Sequence, residues 1–392
     1  MNTEKIEKKV QKRGRHQVRT DRSDKCFALP EIIHHPSEKV RLALAEYKEK
    51  VSERRELVST GDDLLATLSR YTGLPKKCIL TFGDITSAFE AIIKRYARPG
   101  GSAVVAGPTG DLFRIAAESC GMNVYFQYGV SPFAADLEGL AEKVADLTDF
   151  VYLQNPSHPT GALYNLDELE QLLERMNDSI LILDESYIEY CGLTATALLQ
   201  KFNNLIIVRA FSEAFSLAGL PCCYILSTPA RIDEVSVHRP DRAPSIMAEI
   251  AATAVLNDFE FLPKRVERIN ENLIYLSVRL RRLGLSCRMT PADLLLLRVP
   301  DTTAVLKALR TVGIFAFDFS YLPQMENYLG LVVTEDTAVN KTAEAFESLP
   351  HELYRSSVMC NGKMTLHRSA ETVSDIKPEG ANEPVSKLLG AD

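Results

Sequence analysis

The sequence has no apolar run approaching the length of a membrane span and no hydrophobic signal core near its start. A membrane or exported protein is therefore not expected, and the expected location is cytoplasmic. The eight cysteines (Cys26, Cys78, Cys120, Cys191, Cys222, Cys223, Cys287, Cys360) form no C-x-x-C pair. That spacing argues against a zinc site or a disulfide framework and leaves reduced thiols. Cys222 and Cys223 are adjacent within an apolar run and are read as small buried hydrophobes. Excess positive charge is also missing: the formal net charge is -7, so no nucleic-acid partner is expected. No internal repeat and no low-complexity core segment is found.

What is present is a soluble composition, 46% apolar and 25% charged over 392 residues, enough for a large α/β domain plus a smaller one. Residues 1–25 are basic and lack apolar periodicity, which predicts a disordered arm. Residues 26–60 are expected to join the small domain, 61–260 to form the large domain, 261–365 the small α+β domain, and 366–392 a flexible tail.

Strands are expected at Ile79–Phe82, Ala103–Ala106, Asn123–Tyr128, Phe150–Gln154, Ile180–Asp184, Leu205–Arg209 and Cys222–Leu226. Most are continuous apolar strings, as covered strands are. Helical spacing falls between them, at Ser87–Tyr96, Leu112–Cys120, Leu137–Leu147 and Leu166–Met176. This alternation predicts a mostly parallel sheet with helices outside, whose ligands lie at the carboxyl ends of strands. Beyond Leu226 a long helix (Phe261–Leu283) leads to strands at Leu294–Val299, Ile314–Phe317 and Leu329–Val333. Helices at Thr303–Val312 and Ala338–Ser348 complete the small domain.

Three strand-end segments stand out: Asn155-Pro-Ser-His-Pro-Thr-Gly161, Asp184-Glu-Ser-Tyr187 and Phe211-Ser-Glu-Ala-Phe-Ser-Leu-Ala-Gly-Leu220. Each alone is weak, but each follows a successive strand. Together they resemble the fold-type I pyridoxal-phosphate (PLP) enzymes, class I/II, in particular the group of histidinol-phosphate aminotransferase and threonine-phosphate decarboxylase. The resemblance runs from about Leu29 to Leu349. The turn Gly83-Asp-Ile-Thr-Ser-Ala-Phe89 is similar to the one whose helix N-terminus receives the cofactor phosphate, and Pro108-Thr109 to the family's P-T-Y turn.

The resemblance implies an aminotransferase fold, α/β with a mostly parallel seven-stranded sheet, and PLP chemistry. That chemistry needs a lysine to form an imine, a carboxylate on the pyridinium nitrogen, and arginines for phosphate and substrate carboxylate. By resemblance Asp184 falls at the pyridine partner's position and Tyr187 at that of the phenol to the ring oxygen. Ser212, Thr86 and Ser87 fall at phosphate-binding positions. The lysine position holds Glu213 and the following arginine is Pro221. The carboxylate-binding arginine is Gly330, the ring-stacking aromatic is Gly110, the amide before P-T-G is His158, and the phosphate turn's second glycine is Ile85. The partner subunit's tyrosine aligns with Glu56.

Glutamate has no amine to form an imine, so PLP is expected to bind at most noncovalently, and an ordinary aminotransferase is not expected. One reading is a non-catalytic member, a homodimer or a heterodimer with an intact aminotransferase paralogue. Another is a repurposed enzyme acting on a small-molecule ligand, with Glu213, His158, Asp184 and Tyr187 in acid–base roles; imidazole ordinarily titrates near neutrality. Glu213 itself is read either as a base or as a residue of a silent site, paired with Arg209 or Arg114.

Overall fold

Alternating apolar runs and amphipathic segments produce two helix-covered sheets, in addition to a short antiparallel ribbon of Val358–Cys360 and Lys363–Thr365. In the computed structural model the described residues are 36–52, 61–144, 148–176, 179–239, 243–334, 336–354, 358–360 and 363–365. The basic arm, the 366–392 tail and Glu56 lie outside them.

The strands of the large sheet are β1 (Ile79–Phe82), β2 (Ser102–Gly107), β3 (Asn123–Tyr128), β4 (Thr148–Gln154), β5 (Ile180–Asp184), β6 (Leu205–Ala210) and β7 (Cys223–Leu226). They form one seven-stranded sheet in the order β1-β7-β6-β5-β4-β2-β3, and only β7 runs against the rest. Strands β4 to β7 are buried along their whole length, which is why their central residues are apolar; Asp149, Gln154, Asp184 and Arg209, near their ends, are buried with them. Leu181, Leu183, Leu205 and Ile207 pack on one face, and Ile180, Ile182, Ile206 and Val208 on the other. That alternation decides which charged residues can meet.

The helix Leu166–Arg175 begins with a capping box: the Asn165 side chain accepts from the Glu168 amide, and Glu168 returns the bond. The described part of the segment expected to join the small domain, the helix Glu38–Ser52, packs instead on the helix Ile246–Leu256. Its Val40 enters the core of the large sheet.

The small antiparallel sheet has the order β10-β11-β9-β8, from β8 (Ser286–Met289), β9 (Leu294–Arg298), β10 (Phe317–Asp318) and β11 (Tyr328–Val332). The helices Phe261–Arg282, Thr302–Thr311 and Asp336–Ser348 cover one face of it through Leu273, Leu280, Leu309 and Phe346. The strand expected at 314–317 is displaced to Phe317–Asp318. Ile314 is still tied to the preceding helix, its amide donating to the Leu309 carbonyl at 2.9 Å. No helix among the described residues is long and apolar enough to cross a membrane. Cys222 and Cys223 are buried.

Candidate functional site

The carboxyl ends of β4 and β5 are in register, Gln154 opposite Asp184 and Tyr152 opposite Ile182, so their side chains on one face converge. Asp184 is buried and accepts four bonds from its own chain. Oδ1 takes the Ser186 amide (2.9 Å) and hydroxyl (2.6 Å). Oδ2 takes the Tyr152 hydroxyl (2.7 Å) and, more weakly, the Gln154 amide (3.4 Å). Burial raises the Asp184 pKa, and the Ser186 and Tyr152 donors offset only part of that rise. Tyr152 is itself held by Phe113, stacked at 4.5 Å, with the Phe89 edge at 5.7 Å. Gln154 Oε1 accepts from Thr109 (3.2 Å) and from the His158 amide (2.8 Å). The result is a rigid, internally satisfied network.

At the N-terminus of the helix Ile85–Tyr96, Asp84 caps the chain. Its carboxylate takes the Ser87 amide at 2.8 Å and the Ser87 hydroxyl at 2.7 Å. The helix-end donors that suit an anion thus already face one. Thr86 and Ser212 are half-buried.

Glu213 lies in the turn after β6 and is half-buried. Burial first, then the negative charge of Asp293, pushes its carboxyl up to about 7, against the pull of Arg265. Asp293 is buried and pushed up to about 6 by that burial, while Arg265 and the Tyr190 hydroxyl, donating at 3.4 Å, oppose the shift. Tyr187 is held well above the ordinary phenol range by burial, and next by Glu213 and Asp293. The His158 ring stacks on Tyr187 at 5.2 Å and 5°, and meets the Phe319 ring edge-on at 5.8 Å. Burial pushes this imidazole down to about 4. At neutral pH it is uncharged and serves as an aromatic plate.

Five of the residues singled out from the sequence therefore fall into two groups. Asp184 and Ser87 sit in closed hydrogen-bond networks; Glu213, Tyr187 and His158 share a second cluster. Neither expected partner of Glu213 reaches it. Arg209 alternates to the opposite sheet face and pairs with Glu185 at 2.8 Å, and Arg114 pairs with Asp111 (3.0 Å) and Glu118 (2.7 Å). The cation acting on Glu213 is Arg265, on the helix Phe261–Arg282. Sequence reasoning passed over Arg265 and Asp293 because neither belongs to a motif.

Gly330 on β11 is closed off: a Cβ there would lie 2.3 Å from the Phe319 ring and 2.9 Å from Leu294. No side chain can leave the strand at that point unless Phe319 moves. Among the lysines with described side chains (39, 48, 76, 77, 94, 143, 201, 264, 307 and 341), every one is exposed.

The sheet order and the polar groups gathered at the ends of β4, β5 and β6 define an α/β protein of the fold-type I PLP-enzyme class. The chain matches the family model "Aminotransferase class I and II" over residues 33–345 and belongs to that family. It is 29% identical over 287 residues to histidinol-phosphate aminotransferase of Aeromonas hydrophila, covering 71% of this chain and 80% of that one. To the protein of the same name from Aeromonas salmonicida it is 30% identical over 270 residues, covering 67% and 76%. The solved histidinol-phosphate aminotransferase of Sinorhizobium meliloti, in complex with pyridoxal-5'-phosphate, superposes with a TM-score of 0.72 at 21% identity, over 80% of this chain and 88% of that one.

Proposed function

We propose that this chain is a non-catalytic member of the aminotransferase family that holds no PLP covalently. In this reading it acts in the cytoplasm as a subunit, paired with itself or with a lysine-bearing paralogue. The observation that carries the proposal is Glu213, which stands where the family resemblance expects the lysine and faces Asp293 and Arg265, while every lysine with a described side chain is exposed.

The residues present do not fit the cofactor's needs. A carboxylate cannot form the covalent link. A phosphate at the helix Ile85–Tyr96 would meet Asp84, and the pyridine partner Asp184 already accepts four bonds. Phe319 fills the space a side chain at Gly330 would need, so the substrate-carboxylate clamp has no place to stand. An anionic, imine-dependent substrate finds neither its nucleophile nor its cations here.

The test is to purify the protein with PLP supplied, record its spectrum and treat it with borohydride. No cofactor mass should appear on the chain. A lysine carrying reduced cofactor would sink the proposal. In Glu213→Lys a restored cofactor band would show that the surrounding pocket is still shaped for PLP, and co-purification with a lysine-bearing homologue would support the subunit role.

A second reading is favoured by one observation: Glu213 and Asp293 are raised to about 7 and about 6, so each can hold or release a proton near neutrality. As an acid–base enzyme without a covalent cofactor, the protein would catalyse solvent deuterium entry at Cα of an added amino acid or amino-acid phosphate, and Glu213→Gln would abolish it. Absence of exchange across such a panel rejects this reading.

A further inference from the structure

A cavity of about 90 Å³ lies on the sheet face opposite Asp184. It is bounded by the end of the helix Asp62–Thr72, the turn Ile188–Cys191, and the passage from the helix Ile246–Leu256 into the helix Phe261–Arg282. Tyr71, Phe215, Val255 and Leu262 give it apolar walls, and Phe259, 60% exposed, stands at its mouth. One wall group is different. Glu189 is only 8% exposed, and its Oε1 accepts from the Tyr71 hydroxyl at 3.3 Å. Its Oε2 is buried and has no hydrogen-bond partner.

We propose that this cavity is a binding site for a small alkylammonium cation, its ammonium group donating to Glu189 Oε2 and its alkyl stem lying among Tyr71, Phe215 and Leu262. The site is separate from the Glu213 cluster and does not depend on the function proposed above.

Charge fixes the sign of the ligand. Arg209 also lines the cavity, but its guanidinium is already committed: Nε donates to Glu185 at 2.9 Å, and the other end reaches Glu185 at 2.8 Å and Thr194 at 2.6 Å. One buried guanidinium faces two carboxyl groups, Glu185 and Glu189, so ionising both leaves a negative excess; burial pushes the Glu189 carboxyl up to about 7, and a bound cation would favour its ionised form. Asp258, at the rim, is met by Lys39 at 3.8 Å. An anion entering here would meet that excess, whereas an ammonium supplies both the donor Oε2 lacks and the missing positive charge. The aromatic walls suit a cation as well.

Volume fixes the size. Apolar cavities that take benzene measure ~150 Å³, so about 90 Å³ admits a stem of roughly four or five heavy atoms and excludes a ring.

Isobutylammonium and its neutral isostere isobutanol are the probes, titrated against the full-length protein by calorimetry and thermal shift. The ammonium should bind at least about tenfold tighter than the alcohol, the discrimination of one charge-assisted hydrogen bond. Glu189→Gln should erase that preference. Val255→Phe, which fills the space and leaves the carboxyl in place, should abolish binding of both probes, and its circular dichroism reports whether the fold is kept. Equal affinity for the two probes overturns the proposal, as does a preference that survives Glu189→Gln. A preference lost in Glu213→Gln but kept in Glu189→Gln would place the cation in the other cluster and overturn it too.

Discussion

Two charged clusters flank the end of β6, and they are built on opposite plans. On one side Arg209 and Glu185, 5% and 0% exposed, form a two-pronged pair at 2.8–2.9 Å. Thr194 bonds to both partners, and the Ala195 amide donates to Glu185 at 2.7 Å. On the other side Glu213 and Asp293 share the influence of one cation, Arg265. Burial disfavours the Arg209 charge, yet its neighbours, Glu185 first, outweigh burial and hold it protonated. In the second cluster burial raises both carboxyls towards neutrality, and for Glu213 the negative charge of Asp293 adds to it. The matched pair makes a fixed strut, while a carboxyl in excess of the cations is a group that titrates, as Glu213 and Asp293 do and as Glu189 does beside the strut, burial pushing it up to about 7.

The strut is where the largest effect is expected. Arg209→Leu leaves Glu185 buried without its counter-charge, and removing one partner of a buried pair costs about 3–5 kcal/mol. Urea unfolding reads this directly. A loss below about 1 kcal/mol, the range of exposed pairs, would end the distinction between the two clusters.

The pairing in the strut was not legible in the sequence: Arg209 is expected there beside Glu213, whereas strand alternation turns it to the opposite face, onto Glu185 of the Asp184–Tyr187 segment. Ile79–Phe82, Asn123–Tyr128 and Ile180–Asp184 were readable to the residue because turn residues bound them. The second cluster was hidden because Arg265 and Asp293 arrive from the long helix and from the turn before β9, and no local pattern announces a long-range meeting. β8 escaped for another reason: Ser286–Met289 is a largely exposed edge strand with no apolar run. The helix Ile246–Leu256 is apolar nearly all round, so it shows no polar face to mark its period.

The second cluster should reveal itself through pH. A carboxyl raised in the folded chain binds its proton more tightly there than when unfolded. The stability this gives is full below the unfolded value of 4.5 and is lost as pH rises through about 7 for Glu213. Asp293 adds to the loss between 3.8 and about 6. The wild-type protein should therefore lose on the order of 2 kcal/mol across this window from Glu213, and Glu213→Gln should flatten that part of the curve. Unfolding midpoints at pH 5 and pH 8 suffice; an unchanged difference between them in the variant would show that Glu213 is not the titrating group.

Two smaller substitutions sharpen the contrast. Thr194→Val removes the hydroxyl that accepts from Arg209 at 2.6 Å and donates to Glu185 at 3.0 Å, and should cost about 1–2 kcal/mol at every pH where the ion pair exists. Tyr190→Phe removes only the 3.4 Å bond to Asp293, a weak contact worth at most about 1 kcal/mol. Its effect should vary with pH, because the hydroxyl favours the ionised carboxylate: losing it raises Asp293 further, so destabilisation grows as the pH passes about 6. Below that value a protonated Asp293 hardly feels the change. A Tyr190→Phe penalty equal at pH 5 and pH 8 would mean that Asp293 does not titrate in this window, and that the two clusters differ in position but not in kind.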